Sequence, residues 1–181
     1  MKKQLVKFSR FLSKILRHNP EKIGITLDKH GWANLSELIQ NSKSRGNDIS
    51  LEDVEYIVAN NNKKRFEFNE DKSKIRACQG HSINIDLELV SIVPPDVLYH
   101  GTSIDTVRYI KYDGLKKMNR NHVHLSADYD TAHNVGQRHG KPSILLIDTK
   151  KMHKHGMEFY QSTNHVWLTD FVPKEYITFE K

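Results

Sequence analysis

Pro94-Pro95 stands at the middle of a 181-residue chain and limits what can fold on either side of it. Neither proline donates a backbone N–H, and each holds φ at about −65°, so no helix or interior strand can run through the pair. A boundary is therefore expected near Ile92–Asp96, with one domain over 1–92 and a second over 96–181.

The first half opens with Leu5, Phe8, Leu12, Ile15 and Leu16 at helical spacing, which predicts an amphipathic helix over 3–17. Asn19-Pro20 ends it, because the residue before proline avoids the α region. Ile23, Ile25 and Leu27 alternate as in a short strand. Asn34 followed by Glu37 resembles a capping box for a helix carrying Leu35, Leu38 and Ile39. Ser50 and Asp53 begin another, with Leu51, Val54 and Val58 on one face. Arg65–Phe68, the polar stretch Asn69–Ser73 and Lys74–Cys78 read as a β-hairpin. Helices followed by a hairpin suggest a winged-helix lobe.

The second half alternates element types. Strands are expected at Val97–Tyr99, His122–Ser126, Ser143–Asp148, Val166–Leu168 and Tyr176–Phe179, and helices at 103–112, closed by Gly114, and Asp128–His139. The class is α+β.

Charge separates the halves further. Residues 1–90 hold 16 basic and 12 acidic side chains, whereas the remainder holds 12 and 10. The excess peaks in residues 1–20, where Lys2, Lys3, Lys7, Arg10, Lys14 and Arg17 meet no Asp or Glu. The first lobe is thus the better candidate for holding a polyanion, although a solvated helix face explains such a run equally well. One cysteine, Cys78, excludes an internal disulfide framework and fits a reducing, cytoplasmic setting. No apolar run approaches the ~18 residues of a membrane span, so a membrane partner is not expected.

Four constellations carry chemistry. Arg17-His18 places a guanidinium beside an imidazole where the basic helix stops; Arg is a rigid fork for phosphate oxygens and His handles protons near neutrality. A cationic helix end offsetting the macrodipole is the competing reading. Lys63-Lys64-Arg65 leads into a strand with aromatic neighbours, or is a solvated turn. Tyr99-His100-Gly101-Thr102 reads as a strand end breaking into a turn, with Gly101 permitting close approach of a ligand. Arg120-Asn121-His122-Val123-His124-Leu125-Ser126 puts His122, His124 and Ser126 on one strand face. Neither His122-x-His124 nor His153-x-His155 has a carboxylate or thiolate at ligand spacing, so no metal is expected, and the second pair reads as an exposed loop.

Taken in order, the segments 12–20, 28–32, 64–68, 75–82, 98–102, 120–126 and 166–169 (Leu-Ser-Lys-Ile-Leu-Arg-His-Asn-Pro, Asp-Lys-His-Gly-Trp, Lys-Arg-Phe-Glu-Phe, Ile-Arg-Ala-Cys-Gln-Gly-His-Ser, Leu-Tyr-His-Gly-Thr, Arg-Asn-His-Val-His-Leu-Ser and Val-Trp-Leu-Thr) resemble the tRNA 2′-phosphotransferase family across nearly the whole chain. The resemblance implies a winged-helix RNA lobe joined to an ADP-ribosyltransferase-like lobe. It implies NAD⁺ as co-substrate, a tRNA-like RNA bearing an internal 2′-phosphate as substrate, a role in tRNA splicing, and a monomer. The catalytic tetrad would be Arg17, His18, Arg65 and Arg120, and the NAD⁺ residues His100, Gly101, Thr102, His124 and Ser126. By the same resemblance His100 holds the adenosine-side ribose, the Gly101 backbone meets the nicotinamide amide and His124 packs on the nicotinamide. Val166 is the expected third signature residue, with His165 before it where a smaller residue would be usual. Two other functions fit parts of the sequence: a non-catalytic winged-helix binder, which leaves His100 and His124 unexplained, and an ADP-ribosyltransferase that stops after one step.

Overall fold

Residues Lys3–Arg17 form helix α1 in the computed structural model, which describes residues 3–61 and 63–179. Lys2 of the basic run lies outside the described residues. Phe8, Ser9, Leu12, Ile15 and Leu16 are buried, and Lys3, Lys7, Arg10 and Lys14 are exposed on one stripe opposite them. The chain divides into two compact units, Met1–Glu88 and Leu89–Lys181.

In the first unit α1 gives way to a 3₁₀ turn, Pro20–Ile23, closed by Gly24 at φ 71°. The strand expected across Ile23, Ile25 and Leu27 does not form. Pro20 presets the turn and the left-handed Gly24 reverses the chain, so Ile23 and Ile25 both reach the core from a bend instead of alternating across a ladder. Strand β1 (Ala33–Asn34) leads into α2 (Leu35–Ser44), whose first turn is capped by the Asn34 side chain accepting from the Glu37 N–H at 2.9 Å. Helix α3 (Leu51–Asn60) starts on a complete Ser50–Asp53 capping box. It buries Val54 and Ile57 and leaves Leu51 45% exposed, so its apolar face is centred on Ile57 rather than running through Leu51. Strands β2 (Phe66–Phe68) and β3 (Lys74–Ala77) pair antiparallel as expected, and β1 adds to the free edge of β3. One core joins α1, α2, α3 and this sheet through Leu12, Leu16, Leu38, Ile57, Phe66 and Ile75.

In the second unit β4 runs from Leu98 to Ser103, passing straight through the expected turn at Gly101. Helix α4 (Ile104–Asp113) ends at Gly114, followed by the short β5 (Leu115–Lys116) and by β6 (Val123–Leu125). Asp128 caps α5 (Tyr129–Gly136), which continues as a 3₁₀ turn to His139. Then come β7 (Pro142–Ile147), α6 (Thr149–Lys154), β8 (Tyr160–Gln161), β9 (Trp167–Thr169), β10 (Phe171–Val172) and β11 (Ile177–Phe179). The main sheets have orders β11-β7-β4 and β6-β9-β8, all antiparallel. They are stitched together where Tyr99 and Ser126 exchange both backbone hydrogen bonds, at 2.9 and 2.7 Å. His153 and His155 are not in a loop: His153 lies in α6 and His155 caps it, with Nδ1 hydrogen-bonded to the Tyr176 hydroxyl at 2.6 Å.

Gly101 sits inside β4, opposite Ile144 of β7. A Cβ there would lie 1.7 Å from the Ala132 carbonyl oxygen and 2.8 Å from the Gly136 nitrogen, both on α5. The close approach that this glycine permits is therefore made by a helix. Tyr99, on the same strand face, meets α5 too, its ring 6.3 Å from that of Tyr129.

Candidate active site

Of the residues singled out in the sequence, Arg17, His18 and Arg65 lie in the first unit. Arg17 is the last residue of α1, so its cation stands at the negative end of the helix dipole. Its backbone carbonyl accepts from the Ser82 N–H at 3.0 Å, and the Ser82 hydroxyl is hydrogen-bonded to His18 Nδ1 at 2.9 Å. One residue thus fixes both members of the Arg-His pair. The preceding Gly80, at φ 90°, lets the chain turn under the Arg17 guanidinium; a Cβ would come within 3.4 Å of Nη1. Between them His81 is 1% exposed, and among the described residues neither ring nitrogen has a hydrogen-bond partner. Burial first, then the charges of Arg17, His18 and Arg76, push its pKa down to about 4, so it is a neutral filler in a cationic neighbourhood.

Arg65 precedes β2 and is anchored from the helices. Its Nη1 donates to Asn61 Oδ1 at 3.0 Å, and Asn61, itself buried, donates through Nδ2 to Ser9 Oγ on α1 at 3.2 Å. Burial pushes the Arg65 pKa below the ordinary arginine value. Such a cation gains from an anion brought against it, because the ion pair offsets solvation already lost. The nearby Arg76 is committed elsewhere: it donates to Glu67 at 2.6 Å and lies 4.3 Å over the Trp32 ring.

The second unit holds His100, Gly101, Thr102, Arg120, His124 and Ser126. His100 Nδ1 is 2.9 Å from the His124 backbone carbonyl. A carbonyl only accepts, so the proton is on Nδ1 and Nε2 is the acceptor of the ring. Burial lowers the His100 pKa, the neighbouring Arg120 and His139 add to this, and the bond to His124 opposes it. Both effects of burial and charge favour the neutral ring. Arg120 Nη1 bonds to His124 Nδ1; a guanidinium only donates, so His124 carries its proton on Nε2. Arg120 is exposed as a residue, yet the crowding around its guanidinium still lowers its pKa. Thr102 is 7% exposed, and alternation puts it on the His100 face of β4; Ser126 makes the stitch to Tyr99.

His165 has φ 63° in the turn between β8 and β9, left-handed backbone that non-glycine residues adopt infrequently. The turn is held by Ser162, whose hydroxyl accepts from the Val166 N–H at 3.1 Å, and Val166 is half-buried. Among the described residues no group of three or more His, Cys, Asp or Glu side chains could hold a metal ion, and no helix is long and apolar enough to cross a membrane.

Ser82 and Asn61 are not singled out individually by the sequence. Ser82 ends one of the family-like segments; Asn61, within an Asn-Asn-Asn run, gives no signal, because a buried amide is recognised by its partners and not by its neighbours in the chain.

The sequence matches, over residues 3–171, the profile of a family described as RNA 2′-phosphotransferase, Tpt1 / KptA family. It is 58% identical over 175 residues to a probable RNA 2′-phosphotransferase of Fusobacterium nucleatum subsp. nucleatum, covering 96% of this chain and 98% of that protein. Similar relatives, with the same description, come from Flavobacterium johnsoniae (52% identical; 95% and 94% covered) and Rhodopirellula baltica (52% identical; 98% and 97% covered).

Proposed function

Because the chain belongs to the RNA 2′-phosphotransferase, Tpt1 / KptA family, we propose that it removes an internal 2′-phosphate from RNA by passing it to the ADP-ribose part of NAD⁺. The observation that carries this reading is an arginine in each unit, Arg65 and Arg120, whose pKa burial or crowding lowers, together with the Arg17-His18 pair at the end of a basic helix. The first unit is read as a winged-helix RNA lobe and the second as an ADP-ribosyltransferase-like lobe.

In the first step the RNA 2′-phosphate oxygen attacks the nicotinamide-ribose carbon and nicotinamide leaves. In the second, the neighbouring ribose 2″-hydroxyl attacks phosphorus; RNA leaves with a 2′-hydroxyl, and ADP-ribose 1″,2″-cyclic phosphate is the other product. A phosphomonoester with a second pKa of about 6 is already ionised at neutral pH. It needs placing more than deprotonating, so arginines suit the task better than a carboxylate base. Arg17 and Arg120 are assigned to positioning, Arg65 to charge on phosphorus in the second step, and His18 to a proton or a phosphate oxygen. The residues of the second unit fit NAD⁺. Neutral His100 offers Nε2 as an acceptor for a ribose hydroxyl, and His124, oriented by Arg120, offers a ring face. Gly101, Thr102 and Ser126 complete the proposed cofactor-side lining. The stripe Lys3, Lys7, Arg10 and Lys14 would track the RNA backbone.

The test is incubation with NAD⁺ and an RNA carrying one internal 2′-phosphate, with EDTA present throughout. Conversion to 2′-hydroxyl RNA, with nicotinamide and the cyclic phosphate released, is expected only with NAD⁺. Equal dephosphorylation without NAD⁺, or activity restored by a divalent ion, overturns the reading. Nicotinamide release without dephosphorylation indicates a one-step ADP-ribosyltransferase, and no nicotinamide release at all a binding protein.

Ser82 acts here through His18 and Arg17. Ser82→Ala is expected to lower kcat up to about tenfold, the worth of one hydrogen bond of up to about 1.5 kcal/mol, and to alter the pH profile, with KM little changed. Ser82→Thr should restore most of it. A change in KM alone would show that Ser82 merely shapes the pocket.

A further inference from the structure

Helix α4 is a ten-residue helix with one buried side chain, Ile110. Val107 is half-buried, and three further apolar groups face outward: Ile104 is 47% exposed, Tyr109 58% and Tyr112 81%. A surface helix ordinarily turns such residues inward, so this face is left largely uncovered by the described residues.

Cations are interleaved with those aromatics. Arg108 and Lys111, one turn apart, line a groove with Lys141, the residue before β7, over a floor that includes Ile104, Val107 and Pro142; no acidic residue lines it. The Arg108 guanidinium lies 4.6 Å over the Tyr109 ring and donates to its hydroxyl at 2.6 Å. Lys174 approaches to 5.8 Å from the Tyr112 ring centre. Of the two acids on α4, Asp113 is paired with Lys116 at 2.9 Å, and Asp105 does not line the groove.

The chemistry of the occupant follows. A membrane surface or an apolar peptide would want a continuous apolar stripe, whereas cations break this one. A nucleic-acid duplex would use the cations and leave the tyrosines idle. Single-stranded RNA uses both: phosphates against Arg108, Lys111 and Lys141, and bases stacked on Tyr109 and Tyr112, whose rings are held by neighbouring cations. We propose that the outer face of α4 is a second RNA-contact surface, holding single-stranded nucleotides beyond the reacting one. This rests on the proposed function only in taking RNA as the substrate.

The probe is a 20-nucleotide oligoadenylate without a 2′-phosphate, bound by the full chain over a range of salt concentrations. Arg108→Ala/Lys111→Ala/Lys141→Ala is expected to reduce the slope of log K against log salt by about 2, at roughly 0.7 for each phosphate that the variant no longer neutralises. Tyr109→Ala/Tyr112→Ala should weaken binding about tenfold or more, with the slope kept. With a trinucleotide carrying the internal 2′-phosphate, kcat and KM should match the parent, while KM for a long phosphorylated RNA rises. Melting curves report folding, and Tyr112→Ala alone serves if a multiple variant unfolds. Unchanged affinity and slope in both variants overturn the proposal and leave the face to a protein partner. If the parent binds RNA through α4 yet never dephosphorylates it, the proposed function fails and this surface stands.

Discussion

Arg65→Ala is expected to stop the reaction half-way, with RNA carrying ADP-ribose on its 2′-phosphate accumulating as a slower-migrating species. On the proposed mechanism the phosphate would enter the first step as a ready-made anion, and Arg17 and Arg120 would suffice to place it. The proposed second step would concentrate charge on the oxygens around phosphorus as a hydroxyl attacks. A donor fixed in advance and poorly solvated is worth most there. Arg65 has both properties: the Ser9–Asn61 relay holds its guanidinium, and burial lowers its pKa. By analogy with an oxyanion-hole donor the loss is roughly 2.7–4 kcal/mol, or about 10²–10³ in the rate of the second step. Arg65→Lys should recover little, since an ammonium replaces a rigid fork with a point charge. A time course with labelled RNA checks this. Untouched substrate with no intermediate at any time would place Arg65 in binding or in the first step.

The relay shows how far sequence alone reaches into the proposed site: its candidate side chains stand out locally, and the groups that hold them do not. Arg17 and His18 are adjacent, and Arg65 and Arg120 each sit in a segment with its own pattern. Their supports come from far along the chain: Ser82 reaches His18 across 64 positions and Asn61 reaches Ser9 across 52. No local pattern encodes such a pairing. The fold divides in the same way. Helix α1 and the β2–β3 hairpin carry long, regular signals and form where expected. At Ile23–Leu27 an alternating pattern met Pro20 and Gly24, and backbone stereochemistry outweighed it. The two-residue strands β1, β5, β8 and β10 are too short to show a period and exist because a neighbouring strand offers them an edge. Helix α6 leaves no periodic signal because its six residues include one apolar side chain, Met152.

Gly101→Ala is expected to cost the second unit much of its stability, although it adds one methyl group. The new Cβ would stand 1.7 Å from the Ala132 carbonyl oxygen and 2.6 Å from its carbon. Both are backbone atoms, so no side-chain rotation relieves the overlap, and α5 or β4 must move. Neither moves easily. Strand β4 is paired along its length with β7 and stitched through Tyr99 to Ser126, and Gly136 packs so tightly in return that its own Cβ would lie 2.9 Å from the Thr102 carbonyl oxygen. Overpacking of a core ordinarily costs about 1–3 kcal/mol, and backbone against backbone belongs at or above the upper end. At roughly 2–4 °C per kcal/mol the melting temperature should fall by about 6–12 °C or more. Gly156→Ala is the control: its φ of 83° strains an alanine, but its Cβ would meet nothing within 4 Å, so a cost of about 1–2 kcal/mol from backbone conformation is all that applies. Because His100 and Thr102 flank Gly101 on β4, the NAD⁺ binding proposed for these residues should weaken along with stability. A Gly101→Ala protein that melts with the parent and has lost only NAD⁺ binding would mean that a ligand, and not α5, needs the space.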